Sequence, residues 1–205
     1  MTSSASPQPT SNTDSSPMAR YGLFALLALI MAATRFHHFA SVPDASWAVF
    51  FAAGFYLHRE IRWVFPALLV EAVLVDYLVI TASGVSFFEH YCVSPAYWFL
   101  ALAYFALWFG GAWLARHYRS LGARELGLAA VTAFVAISAC YVISNGSFYW
   151  FSASVPQPRS FGAWMKNFGD WYLPYVTSQM IYIGIGAALH AIITLLQPAR
   201  AVSAR

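Results

Sequence analysis

The sequence predicts an all-α integral membrane protein with six transmembrane helices and both termini in the cytoplasm. Hydrophobic residues make up 60% of the 205 residues and charged residues only 9%, whereas an ordinary soluble domain is about 25% charged. Apolar stretches follow one another along the chain, separated by short polar turns. Aromatic residues make up 18%, which suits a bundle that needs amphipathic rings at two membrane interfaces.

The chain is expected to hold one domain between two tails. Residues 1–17 are mostly Ser, Thr, Pro, Asn and Gln, with Asp14 as their only charge, so we expect a disordered tail. Residues 18–198 form the predicted transmembrane domain, and residues 199–205 form a polar C-terminal tail.

The first apolar run has two interpretations. Residues 18–33, with Arg20 at their start, could be a signal peptide. However, the apolar pattern continues past Arg35 and a long tail precedes it. This favours a first transmembrane helix over about residues 19–39.

The other helices are predicted over residues 45–57, 63–83, 95–115, 126–143 and 170–196. Asp44 should cap the second helix, which is short for a hydrocarbon core of about 30 Å. Asn145-Gly146 is a turn signal and should end the fifth helix. The connection over residues 147–169 is then the longest in the chain, and connections of that length are usually functional.

Basic residues predict the orientation of the bundle. Eight of the 11 lysines and arginines fall on the side of the termini: Arg20, Arg59, Arg62, Arg116, Arg119, Arg124, Arg200 and Arg205. Three fall on the other side: Arg35, Arg159 and Lys166. The positive-inside rule therefore predicts cytoplasmic termini in a bacterial inner membrane. The net charge of +3 is too small to indicate a nucleic-acid partner.

Cys92 stands out in the junction between the third and fourth predicted helices. Ser94-Pro95 is a helix-start signal, since serine can cap free amides and proline suits the first helical position. A thiol just before a helix N-terminus tends to ionise, and the thiolate binds metals or attacks electrophiles. The alternative is an inert cysteine at the membrane interface. A disulfide with Cys140 is not expected, because Cys140 lies inside an apolar run.

A pocket on the outer side would gather metal ligands and flat aromatic surfaces around Cys92. Its candidate ligand-binding residues are Arg35, His37, His38, Asp76, His90, Tyr97, Phe148, Tyr149 and Trp150. The sequence contains no CxxC, HExxH or phosphate-binding loop, so this prediction rests on placement and not on spacing. For His37 and His38, the simpler interpretation is polar residues at the membrane surface.

Two acidic residues are predicted inside the third helix, Glu71 and Asp76. Each costs several kcal/mol in a membrane unless it is paired, neutralised or hydrated. They are about 140° apart on the helix and do not form a paired-carboxylate site. Asp76 could bind a polar ligand, and Glu71 could pair with Arg35 or stay protonated. The alternative for both is a hydrogen bond between helices.

Small residues recur at helical spacing, and Ala28 with Ala32 on the first helix forms an AxxxA pattern. Such a stripe allows another helix to approach closely. Ordinary packing inside the bundle is the alternative.

Together, the six short helices, the AxxxA pattern, the outward aromatic pocket and Cys92 in His90-Tyr91-Cys92-Val93-Ser94-Pro95 resemble the S-components of energy-coupling-factor (ECF) transporters. Within that family the chain is similar to the BtuM group of solitary cobalamin-binding S-components, which is marked by a cysteine between helices three and four. The resemblance covers about residues 18–198.

The resemblance implies capture of cobalamin at the outer side and its passage inward, with Cys92 as the axial cobalt ligand. A soft thiolate suits cobalt, and displacement of an axial cyanide would make slow decyanation of cyanocobalamin a side activity. In related transporters the AxxxA face, here Ala28 and Ala32, meets a coupling subunit driven by ATPases. This chain contains no Walker motif, so ATP hydrolysis would belong to partners.

Two other functions remain open. The protein could be an S-component for another vitamin or a small aromatic molecule, with Cys92 incidental. It could also be an intramembrane transferase with Cys92 as nucleophile and His90 or His38 as base.

Overall fold

The computed structural model describes residues 16–36 and 43–196. The described part of the chain is helical without strands, which confirms the all-α prediction. Its six α-helices are α1 (Pro17–Phe36), α2 (Ser46–Leu57), α3 (Ile61–Ala82), α4 (Phe99–His117), α5 (Ala123–Phe151) and α6 (Phe161–Leu196). His37, His38, residues 1–15 and residues 197–205 lie outside the described residues, so the predictions for the two histidines and for the tails are not tested.

Five segments in the described part of the chain are long and apolar enough to cross a membrane. They are Pro17–Phe36, Ser46–Ala82, Pro95–His117, Ala123–Phe151 and Phe161–Leu196. The second combines α2 and α3 across a 3-10 turn, His58–Glu60. With 12 residues, α2 spans only about 18 Å. These lengths support a multi-pass membrane protein, while six full spans and cytoplasmic termini stay predictions.

Ion pairs show how the first three helices run. Arg20, near the start of α1, pairs with Glu60 in the turn after α2 at 2.6 Å. Arg35, at the other end of α1, pairs with Asp44 before α2 and with Asp76 near the end of α3. Consequently α2 and α3 are antiparallel. We call the two ends of the bundle the Arg20 end and the Arg35 end.

The short helix α2 forms the centre of the bundle. Nine of its 12 residues are buried, as expected for a helix that is apolar on all sides. A Cβ at Gly54 would overlap the carbonyl oxygen of Trp108, and one at Gly111 would overlap that of Phe51. Glycines on both helices therefore allow the backbones of α2 and α4 to touch.

The predicted end of the fifth helix is wrong. Asn145-Gly146 does not terminate α5, which continues to Phe151. The Asn145 side chain accepts a hydrogen bond from the Trp164 indole at 3.0 Å, and the Trp164 ring would lie 3.8 Å from a Cβ at Gly146. Packing against α6 thus keeps these turn-prone residues helical.

The long connection predicted over residues 147–169 is also wrong. Only residues 152–160 lie between helices, because α6 begins at Phe161 and contains Pro174 in its interior. The predicted aromatic loop, Phe148-Tyr149-Trp150, is the last turn of α5.

The helix start at Pro95 is confirmed, but the predicted serine cap is not. Pro95 opens a 3-10 turn that leads into α4. The Ser94 hydroxyl is buried and has no hydrogen-bond partner in the described part of the chain.

Candidate functional site

Arg35 is the centre of a polar network at the Arg35 end of the bundle. The residue is only 7% exposed, and its Nε and one terminal nitrogen donate to the two carboxylate oxygens of Asp76 at 2.7 and 2.6 Å. This two-point pairing is the strong geometry for an arginine and a carboxylate. The other terminal nitrogen donates to Asp44 at 2.9 Å, to Ser46 at 3.0 Å and to the Tyr104 hydroxyl at 3.2 Å.

The network joins four helices, and its charged side chains form hydrogen bonds with one another. Tyr97 donates its hydroxyl to Asp76 at 2.7 Å. Together with the two hydrogen bonds from Arg35, this bond leaves neither Asp76 oxygen without a donor. Asp44 also accepts from the backbone N–H and hydroxyl of Ser46 at 2.9 and 2.6 Å. Arg35, Asp76 and Tyr97, predicted separately as ligand contacts, are thus brought together as a rigid base. The suggested pairing of Glu71 with Arg35 is wrong, because the guanidinium is occupied by Asp44 and Asp76.

Cys92 lies next to this network in the junction between α3 and α4. Its thiol is partly buried, hydrogen-bonds the Tyr91 hydroxyl, and is close enough to Asp76 and Arg35 to feel both charges. Its backbone N–H donates to Nδ1 of His90 at 3.3 Å. Of the predicted site residues, Cys92, His90, Tyr97, Asp76 and Arg35 therefore lie in one region.

Burial raises the pKa of the Cys92 thiol above its ordinary value. The hydrogen bond with Tyr91 and the charge of Arg35 lower the thiol pKa, the charge of Asp76 raises it, and burial dominates. The hydrogen bond to Cys92 and burial raise the pKa of Tyr91 to about 12. Burial therefore acts against the thiolate expected from the helix-start position, because desolvation disfavours the anion.

A cavity of about 330 Å³ opens between the α3–α4 junction and the α5–α6 connection. It is lined by Phe88, Glu89, His90, Tyr91, Val93, Ser94, Ser152, Ala153 and Ser154. Of the predicted pocket residues that the structure describes, only His90 lines this cavity. Cys92 is not part of the lining, and neither are the residues of the Arg35 network nor the predicted aromatic residues of α5. The Ser154 hydroxyl donates to the carbonyl oxygen of Tyr91 at 3.5 Å, so the two segments meet above the site. We call these two segments the cap.

The aromatic residues at the end of α5 anchor one of the two cap segments, the α5–α6 connection. The Tyr149 hydroxyl donates to the Ser160 carbonyl at 3.0 Å and accepts from the Ser160 N–H at 3.2 Å. Trp150 contacts Tyr149 edge to face at 5.0 Å, and its carbonyl accepts from Arg159. Phe148 accepts a backbone hydrogen bond from Ser152 at 3.0 Å. These contacts anchor residues 152–160 between α5 and α6.

The sequence did not reveal the contribution of α6 to the site. Gln179 is 3% exposed; it donates to the Asp44 carbonyl at 2.8 Å and accepts from the Ala48 N–H at 3.2 Å. One turn earlier, Tyr175 stacks on Trp47 at 5.5 Å and interacts electrostatically with Cys92. The sequence signal that could have indicated this contribution is the spacing of Tyr175 and Gln179, which are four positions apart on an apolar helix and therefore share one face.

The described residues contain no group of three or more His, Cys, Asp and Glu side chains arranged to hold a metal ion. The metal-binding role predicted for Cys92 therefore has no support from the described residues and stays a prediction.

The architecture is that of a helical protein compatible with several membrane crossings, with a buried arginine network under a half-buried cysteine. No protein-family model matches the chain, and no curated protein is significantly similar to it.

Proposed function

We propose that this protein is an S-component-like membrane transport protein that binds cobalamin at its Arg35 end and mediates uptake across a bacterial inner membrane. One observation carries the proposal. A partly exposed residue, Cys92, lies in the junction outside the apolar helices, beside His90 and near the buried charge network that joins α1, α2, α3 and α4. The resemblance of the junction sequence to the BtuM group agrees with that placement.

In this proposal the Arg35 network holds the helices below the site in fixed positions and does not contact the ligand directly. Because the Asp76 oxygens are occupied by Arg35 and Tyr97, a ligand does not need to neutralise them. A ligand at Cys92 would instead meet the thiol, the neighbouring imidazole of His90 and the aromatic face of Tyr175. This combination of a soft donor and flat apolar surfaces suits the cobalt and the macrocycle of a corrin.

Coordination would deprotonate Cys92, even though burial raises the pKa of the free thiol, because metals bind the thiolate. With cyanocobalamin, the Co–S bond would form as the Co–C bond to cyanide breaks. Cyanide would leave with its electron pair and take up the thiol proton as hydrogen cyanide. No change in oxidation state is needed, so decyanation follows from binding alone.

Entry of a corrin requires the cap to move. The cavity of about 330 Å³ lies at the low end of pockets for drug-sized ligands, and a corrin with its side chains is larger than such ligands. The link between the two cap segments is weak, since the Ser154–Tyr91 hydrogen bond measures 3.5 Å. We therefore place entry between the α3–α4 junction and the α5–α6 connection.

A coupling subunit could contact α1, on which Ala28 and Ala32 are partly exposed. Ala28 also packs against the core of the bundle, so only part of the AxxxA face is free for a partner helix. Leu26, Leu29 and Ile30 are exposed beside it.

Two features disfavour the transferase alternative. Burial raises the pKa of Cys92, which lowers the amount of nucleophilic thiolate at neutral pH. In addition, Nδ1 of His90 accepts a hydrogen bond from the Cys92 backbone N–H, so this nitrogen is not free to deprotonate the thiol.

The visible absorption of the purified protein tests the proposal. After growth with cobalamin, the protein should carry a corrin spectrum, and Cys92→Ala should change the axial-ligand bands or abolish binding. Cys140→Ala is the matched control, because Cys140 is fully buried among apolar residues; its spectrum should equal that of the wild type.

A corrin spectrum that Cys92→Ala leaves unchanged would reject the thiolate ligand. A colourless protein that rescues growth on another vitamin would instead identify an S-component of different specificity.

A further inference from the structure

The Arg20 end of the bundle contains a second, apolar cavity that the proposed function does not use. Its volume is about 110 Å³, and it forms a partly open groove between α2, α4, α5 and α6. The lining residues are Ala48, Phe51, Ala52, Phe55, Tyr56, Leu114, Tyr118, Leu121, Leu126, Ala129, Tyr182, Ile183, Gly186, Ala187 and His190. From Ala48 to Tyr56 the groove follows α2 for about 12 Å. An apolar channel of this direction and length suits a hydrocarbon chain that lies parallel to the helices.

Three polar side chains meet at the Arg20 end of this groove, whereas the hydroxyl of a fourth lining residue, Tyr182, donates to the Pro43 carbonyl toward the other end. Tyr56 and His190 Nδ1 share a hydrogen bond of 2.9 Å, and the Tyr118 ring contacts the His190 ring at 5.6 Å. The Tyr118 hydroxyl is buried and has no hydrogen-bond partner among the described residues. Such an unsatisfied hydroxyl is costly, and a ligand with an acceptor at this end of the groove would satisfy it.

The groove opens beside a basic connection. Tyr118 and Leu121, which line the groove, belong to the segment between α4 and α5. Arg116 at the end of α4, Arg119 in the segment and Arg124 in the first turn of α5 outnumber Glu125. Arg124 pairs with Glu125 at 3.8 Å, and the Arg124 side chain is 89% exposed. Glu125 also lies close enough to Tyr118 to interact with it electrostatically, but one carboxylate against three arginines leaves the local charge positive. The chemistry of the mouth therefore favours an anion, and that of the groove favours an alkyl chain.

We propose that the groove binds one acyl chain of an anionic phospholipid, with the phosphate at Arg119 and Arg124 and in reach of the Tyr118 hydroxyl. Basic residues beside a cleft between membrane helices recognise anionic head groups in this way. This inference does not depend on cobalamin, and it concerns the opposite end of the bundle from Cys92.

Native mass spectrometry of the delipidated full-length protein in detergent tests the site. The probes are phosphatidylglycerol and phosphatidylcholine with identical acyl chains. We expect tighter binding of phosphatidylglycerol, and a loss of about fivefold in its affinity for each of Arg119→Gln and Arg124→Gln. Tyr118→Phe, which removes only the unpartnered hydroxyl, should also weaken binding.

A matched pair of variants on α6 tests the groove itself. A side chain at Gly186 enters open space in the groove, and one at Gly184 meets nothing within 4 Å either, but the two positions are about 200° apart around the helix. Gly186→Leu should abolish retention of phosphatidylglycerol, while Gly184→Leu should leave it unchanged. Equal binding of the two lipids, or unchanged binding in Gly186→Leu, would overturn the proposal.

Discussion

At the scale of single residues, Arg35 determines the character of the candidate site. A buried guanidinium is tolerated only when carboxylates and hydrogen bonds compensate its lost hydration. Asp44 and Asp76 provide the charge, and Ser46 and Tyr104 provide further acceptors. The partners come from different parts of the chain, so the network holds the helices in fixed relative positions and also compensates the charge of Arg35.

Removal of one charge from this network should be strongly destabilising. Asp76→Asn leaves Arg35 with one carboxylate, and we expect a loss of about 3 to 5 kcal/mol in the free energy of unfolding, measured by denaturation in detergent. Asp170→Asn is the control, because its pair with Lys166 is exposed on both sides and should change stability by less than about 0.5 kcal/mol. Equal effects of the two variants would show that the Arg35 network does not support the fold.

At the scale of elements, close contact between α2 and α4 explains how a helix of 12 residues becomes the centre of the bundle. Gly54 and Gly111 remove the side chains that would separate the two backbones. Stacking of Phe50 on Tyr104 at 4.4 Å extends the interface toward the Arg35 network. The packing of α2 therefore positions Ser46 and Asp44 under the site.

Alanine substitutions at two glycines should distinguish the effect of close helix packing on stability from the effect of helix propensity. Gly111→Ala places a Cβ against the Phe51 carbonyl and should destabilise the protein by about 1 to 3 kcal/mol. In contrast, Gly127 lies inside α5, and a Cβ at this position would meet nothing within 4 Å. Gly127→Ala should be neutral or stabilise the protein by up to about 1 kcal/mol. Thermal unfolding in detergent measures both, and a neutral Gly111→Ala would contradict the close approach of α2 and α4.

At the scale of the whole molecule, charge divides the bundle into two ends. The described basic residues at the Arg20 end are Arg20, Arg59, Arg62, Arg116, Arg119 and Arg124, and those at the Arg35 end are Arg35, Arg159 and Lys166. The former should face the cytoplasm, so the Cys92 site should face outward and the lipid groove inward.

Labelling in intact spheroplasts tests that orientation. In a Cys140→Ala background, a membrane-impermeant maleimide should label Cys92 from outside. The control adds Ser120→Cys to Cys92→Ala in the same background, and this cysteine in the α4–α5 connection should react only after permeabilisation. The reverse pattern would place the termini outside.

The same experiment should report the state of the thiol. Since burial raises the pKa of Cys92, the labelling rate should continue to rise with pH beyond about 8.5, the ordinary pKa of cysteine, instead of levelling off there. Bound cobalamin should protect Cys92 from the reagent.

Composition and local periodicity were sufficient to predict the helical class, the apolar segments and the grouping of charges. The sequence also identified Arg35, Asp76, Tyr97, His90 and Cys92 as residues of interest. The partners of these residues follow from the packing of the helices: the pairing of Arg35 with Asp76 links positions 41 residues apart, and no local pattern encodes such a contact. Packing likewise kept Asn145 and Gly146 helical against Trp164, and burial reversed the expected direction of the Cys92 pKa shift. In both cases long-range contacts and desolvation outweighed local sequence preference.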